Sequence, residues 1–153
     1  MSAKNLLIVF HSQTGNTERL AEAAMEGATV TGGVSIRRLW AKEAAACDLL
    51  WADGVLFGTP ENLGYLSGGL KDFFDRTYYA VQDLIQPLPY GLFISAGNDG
   101  RGAAQHTRRI LRGYAMRPID DPLICRGAIT ADHLTQARAL GETLATGLEL
   151  GIF

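Results

Sequence analysis

Apolar positions along this chain follow two alternating rhythms. Short unbroken runs at residues 6–10 (LLIVF), 54–59 (GVLFGT) and 90–96 (YGLFISA) are bounded by turn residues. They predict strands buried on both faces. Between them lie longer stretches with apolar residues at helical spacing and strong helix formers, at 18–27, 41–51, 70–79, 103–113 and about 130–148. Residues 34–39 alternate and are short, as an edge strand would be, and a fifth strand falls near 122–125. In the 70–79 stretch Leu70, Phe73, Phe74 and Thr77 share one side. Strand and helix in strict alternation predict an α/β fold with three layers, a doubly wound parallel sheet covered by helices on both faces. No repeat, low-complexity segment or linker interrupts it, so residues 1–153 are expected to form a single domain.

Residues 11–17 read His11-Ser12-Gln13-Thr14-Gly15-Asn16-Thr17 and join the first strand to the first helix. A helix start offers unpaired N–H groups and the positive end of the helix dipole, which favour an anion. The loop contains no lysine, which excludes a nucleoside-triphosphate loop of the GxxxxGK[ST] kind. Without three closely spaced glycines it does not suit a dinucleotide pyrophosphate either. Ser12, Thr14, Asn16 and Thr17 around Gly15 are a set of neutral donors able to wrap one monophosphate. A plain helix cap needs one such residue, and here four crowd into six positions.

Residues 12–17, written [ST]-x-T-G-x-T, resemble the phosphate loop of flavodoxins. Gly58-Thr59-Pro60 and residues 64–75 (GYLSGGLKDFFD) resemble the third strand, flavin loop and third helix of WrbA-type quinone reductases and their flavodoxin-like relatives. The resemblance implies a five-stranded parallel sheet of order 2-1-3-4-5. Ligands in such sheets bind outside the carboxyl ends of the strands, where the order reverses. That expectation places three loops on one rim, 11–17, 59–69 and 96–102.

What the resemblance implies for the site is FMN, with NADH or NADPH as co-substrate. Ser12, Gln13, Thr14, Gly15, Asn16 and Thr17 would hold its phosphate. Pro60, Glu61, Asn62, Leu63, Gly64 and Tyr65 would grip one side of the ring, and Ser95, Ala96, Gly97 and Asn98 the other. The related loops carry an aromatic just before the glycine, where this chain has Leu63. Tyr65 either stacks on the ring or packs on the protein. Glu61 and Asp99 either face the flavin, disfavouring an anionic reduced ring, or are solvated loop acids. Arg101, Arg108 and Arg109 either meet a dinucleotide phosphate or form a solvated helix face. The flavin would do the chemistry, so no protein side chain is expected to be catalytic.

A net charge of −2 argues against a nucleic-acid binder. It is also less acidic than flavodoxins that dock on basic partners, favouring an FMN-dependent NAD(P)H oxidoreductase of quinones, flavins or similar acceptors over an electron carrier. A small-molecule acceptor is the expected partner, with neither nucleic acid nor membrane. A homodimer or higher oligomer also follows from the resemblance, although the C-terminal loops that complete the WrbA tetramer site are missing. No apolar run reaches membrane-spanning length and no signal peptide is evident, so the cytoplasm is expected. Cys47 and Cys125 lack CxxC spacing and are expected to be buried free thiols. His11, His106 and His133 are too scattered to suggest a metal site, with His11 capping or bonding the phosphate loop. A receiver domain is excluded because Gly58-Thr59 stands where its aspartate is required, and a serine hydrolase because Ser95 lacks a GxSxG elbow.

Overall fold

The computed structural model describes residues 3–153. Strand β1 (Lys4–Phe10) leads to α1 (Asn16–Ala28), and β2 (Val34–Trp40) to α2 (Ala46–Trp51). Next come β3 (Gly54–Asn62), β4 (Tyr65–Leu66) and α3 (Gly68–Val81), followed by β5 (Pro89–Ala96) and α4 (Arg101–Gly113). Two short strands, β6 (Arg117–Pro118) and β7 (Leu123–Arg126), precede α5 (Ala131–Leu150). The parallel path runs β2-β1-β3-β5 and ends on β6 and β7, which both pair with β5. This is the expected order, with the fifth strand in two pieces.

The break in that strand is a local excess of chain. Pro118 pairs with Tyr90 and Leu123 with Phe93, so four residues, Ile119 to Pro122, face Gly91 and Leu92 alone. The surplus leaves an interrupted edge, a known protection against strand addition.

Alternation along each buried strand sends side chains to two cores. Leu6, Ile8, Phe10, Leu56 and Phe93 pack under α1 and α5, while Leu7, Val9, Val55, Phe57, Leu92 and Ile94 pack under α3 and α4. Helix α3 buries Leu70, Phe73, Phe74 and Thr77, the side expected. Below it the Tyr114 hydroxyl donates to the Phe74 carbonyl at 2.6 Å and shares a hydrogen bond of 2.8 Å with Thr77. Helices α1 and α5 meet backbone to backbone. A Cβ on Gly27 would collide with the Arg138 carbonyl, and one on Gly141 with that of Ala24.

Two sequence expectations need correction. Residues 41–45 are a turn, and α2 begins only at Ala46. The Arg76 guanidinium of α3 donates to the carbonyls of Ala41 and Ala44 at 2.8 and 3.1 Å, tying up groups that a longer helix would use itself. Residues 59–69 are not a free loop either: β3 runs to Asn62 and turns back as an antiparallel hairpin with β4. Leu63 at φ 53° and Gly64 at φ 74° form its two-residue tip, both left-handed as a type I′ turn requires.

Candidate functional site

The rim at the strands' carboxyl ends is built from the 11–15 loop, the β3–β4 hairpin and the 97–100 loop. Helix α1 opens on Gly15 at φ 104°, with no side chain capping it. The Ser12 hydroxyl turns back to accept from the Gly15 N–H at 3.2 Å, which curls the loop. A Cβ built on Gly15 meets nothing within 4 Å, so the space before the helix is open and an alanine would stand in it.

Four contacts bind the three loops together. Asn62 Nδ2 donates to Gln13 Oε1 at 3.1 Å, joining hairpin to first loop. Thr17 and Ser95, both buried, share a hydrogen bond of 2.8 Å from α1 to the end of β5. Two hydroxyls carry two hydrogens, and their mutual bond uses one, so the pair retains a donor for a further acceptor. The His11 ring sits against Gly69, whose missing Cβ leaves the room. Burial, and after it the charge of Lys42, pushes the His11 pKa down, so the ring is neutral at pH 7. Finally, the Glu61 carboxylate accepts from the backbone N–H groups of Gly100, Gly102 and Ala103 at 3.2, 3.1 and 3.3 Å.

That last contact separates two otherwise similar helix starts. Both α1 and α4 open on a left-handed glycine and lack a cap from their own side chains. At α4 a carboxylate from β3 already satisfies the amides and opposes the dipole. At α1 no carboxylate among the described residues accepts from the first amides; Glu18 stands in the helix's first turn, and the groups of the preceding loop are neutral donors. A dianionic phosphoester therefore fits before α1 and would be repelled before α4.

Most residues expected at the site are gathered on this rim. Ser12, Gln13, Gly15, Thr17, Glu61, Asn62 and Ser95 are joined by the contacts above, while Thr14, Leu63, Gly64, Gly97 and Asn98 form its exposed tips. Asn16 opens α1, Pro60 lies beside Ser95 in the sheet, and Ala96 is buried at the end of β5. The Tyr65 ring packs on His106 of α4, centroids 4.7 Å apart. Glu61, half-buried, is engaged by the start of α4. Asp99 accepts from the Arg101 N–H at 3.0 Å. Sequence reasoning missed Thr59 and Ser67, both fully buried: Ser67 N–H donates to Thr59 Oγ1 at 2.9 Å, and Ser67 Oγ accepts from the Leu70 N–H to cap α3. The serine ahead of Gly68-Gly69-Leu70 was the available cap signal.

Cys125 is buried, which pushes its thiol up to about 11, but Cys47 is exposed on α2, contrary to expectation. Asp48 and Leu49 take the inward positions of α2, which leaves Cys47 on its outer side. Among the described residues no group of three His, Cys, Asp or Glu could hold a metal, and no helix is long and apolar enough to cross a membrane.

A doubly wound parallel sheet whose first helix starts uncapped and open among neutral loop donors has the architecture of a flavodoxin-like protein. An archaeal flavodoxin structure superposes with a TM-score of 0.84 at 22% identity, covering 95% of this chain and 99% of that one. The sequence profile of the NADPH-dependent FMN reductases matches residues 40–128, more than half of the chain. The protein belongs to that family, and FMN is the cofactor that membership implies. Among curated relatives, a flavodoxin of Aquifex aeolicus is 41% identical over 97 residues, covering 63% of this chain and 52% of that protein. Quinone-oxidoreductase QR2 of Triphysaria versicolor is 30% identical over 122 residues, covering 65% and 59%. The chain thus spans little more than half the length of these relatives.

Proposed function

We propose that this rim holds FMN and that the protein is an NAD(P)H-dependent oxidoreductase passing electrons to a quinone or similar small acceptor. The observation that carries the reading is the contrast between the two helix starts, one closed by Glu61 and one left open among neutral donors. The amides of residues 13–17 and the hydroxyls of Ser12, Thr14 and the Thr17–Ser95 pair would receive the phosphate. Hydrogen bonds to it are charge-assisted, the strong kind. The hairpin would lie along one side of the ring, with its apolar tip at Leu63. Ala96 and Gly97 would let the ring approach the backbone opposite. When bound, FMN would supply the hydride-accepting and electron-donating chemistry that links a nicotinamide to the acceptor. The chain's part is to seat it, to fix its orientation through the Asn62–Gln13 and Glu61–α4 links, and to keep the hairpin in place. The name of the Triphysaria relative supports the quinone acceptor.

A second reading, an electron carrier without reductase activity, is favoured by the name of the Aquifex relative. Steady-state oxidation of NADPH or NADH with a soluble quinone separates the two. The proposed phosphate seat is tested by Thr14→Ala. Loss of one hydrogen bond to a charged group, about 1.5–3 kcal/mol, should weaken FMN binding roughly ten- to a hundredfold. Riboflavin, lacking the phosphate, should bind Thr14→Ala and the parent alike by fluorescence quenching. Equal losses for both ligands would remove the phosphate from this loop.

A further inference from the structure

Helix α4 carries Arg101, Arg108, Arg109 and Arg112 and no acid, in a chain whose net charge is −2. Arg101, Gln105, Arg108 and Arg112 recur at intervals of three and four, so they share one face. That face is a wall of a groove of about 520 Å³ between α4 and the break in the fifth strand. Ala104, Pro122 and Ile124 give the groove apolar surface, and Asp121 stands with them. Among the described residues neither Arg108 nor Arg112 has a carboxylate within ion-pair distance. Both are close enough to the Tyr90 hydroxyl to oppose the rise that burial gives its pKa.

We propose that this groove receives the doubly phosphorylated adenosine end of NADPH. The inference rests on the reductase reading above and adds where the dinucleotide lies and which residues select it. The size is that of a small-molecule site, and a wall of arginines facing an apolar floor suits a nucleotide. Guanidiniums provide forked donors for phosphate, the apolar residues a bed for a flat base, and Asp121 an acceptor for a ribose hydroxyl or ring amine. A ligand with phosphates, an aromatic ring and N–H or O–H donors uses all three. The groove also begins where the redox rim ends, because Arg101 directly follows the 97–100 loop. From Arg101 to Arg112 the helix advances about 16 Å. A dinucleotide with its nicotinamide over the rim can therefore lay its far phosphates along the arginines.

The test titrates 2′,5′-ADP into the FMN-loaded protein by calorimetry, with 5′-AMP as the control, for the parent and for Arg108→Gln/Arg112→Gln. All the substituted side chains are exposed, and a thermal melt checks that the fold is kept. The expected results are binding of 2′,5′-ADP at least tenfold tighter than 5′-AMP, weakening with added salt, and a loss of thirtyfold or more in the double variant. The ratio of KM for NADPH to KM for NADH should rise at least tenfold in that variant. No heat with 2′,5′-ADP, or equal heat for parent and variant, overturns the proposal. So does arginine-dependent binding of polyglutamate in its place, which would make the groove a protein-docking surface. Binding of 2′,5′-ADP as expected, together with no NADPH oxidation, would sink the reductase reading while supporting the groove as a nucleotide site.

Discussion

Replacing Leu63 by Asn should make the apoprotein more stable and the flavin complex weaker. Leu63 has 105% relative exposure and so loses no packing when it is removed. It is held at φ 53°, a region that costs an ordinary L-residue about 1–2 kcal/mol. Asn tolerates that region, and Asn-Gly is the preferred tip of a type I′ hairpin, so most of this cost should be recovered. A gain of about 1 kcal/mol in a chain of this size raises Tm by roughly 2–4 °C. On the bound side, covering half a leucine with a flavin face is worth about 1 kcal/mol at 25 cal/mol per Å², so FMN should bind about fivefold more weakly. Thermal melts of the flavin-free protein and quenching of FMN fluorescence read the two effects separately. The reasoning fails if the apoprotein loses stability. It also fails if FMN affinity stays the same while Tm rises, because the tip then touches no ring.

Glu61→Ala leaves three α4 amides without their acceptor; a loss of about 2 kcal/mol, or 4–8 °C in Tm, is expected, and a shift below 1 °C would refute the capping role. His11 has a folded pKa below its unfolded value of about 6.5. As pH falls through that value the unfolded chain takes the proton first, so stability should decline until the folded pKa is passed. Urea midpoints between pH 7.5 and 5 should fall less steeply in His11→Gln. At high pH the order reverses. The Tyr114 hydroxyl is pushed up from 10.0 to about 12 by burial, so the unfolded chain loses its proton first and stability drops above pH 10, by roughly 2 kcal/mol at pH 12. Tyr114→Phe should remove that part of the alkaline loss, and an unchanged alkaline slope would contradict it.

The sheet and the first loop were legible because both are written locally. Residues 6–10 are an apolar run, and Ser12 to Thr17 concentrate cap-forming side chains at one junction. Glu61 was not legible as a cap, since its partners lie 39 to 42 residues away and no local pattern links them. The same holds for the packing of Tyr65 on His106, a residue of a helix that only the finished fold brings near. The hairpin was read as loop because Leu63 is a poor residue for a left-handed tip, so the usual Asn-Gly signature was missing. The split fifth strand escaped because Ile119-Asp120-Asp121-Pro122 looks like ordinary connection. The arginines of α4 could be counted in the sequence, but not seen to line a groove.

The close backbone contact between the first and last helices means that the helix following the 11–15 loop is positioned from behind by α5. With hydrogen alone at residues 27 and 141 the two backbones touch directly at those points, so a displacement of one helix is passed to the other. An added methyl at Gly141 would lever the front of the molecule out of true, and its first symptom would be a slackened hold on the ligand some way from the lesion. On the reading proposed above, the hold on FMN depends in part on the last helix.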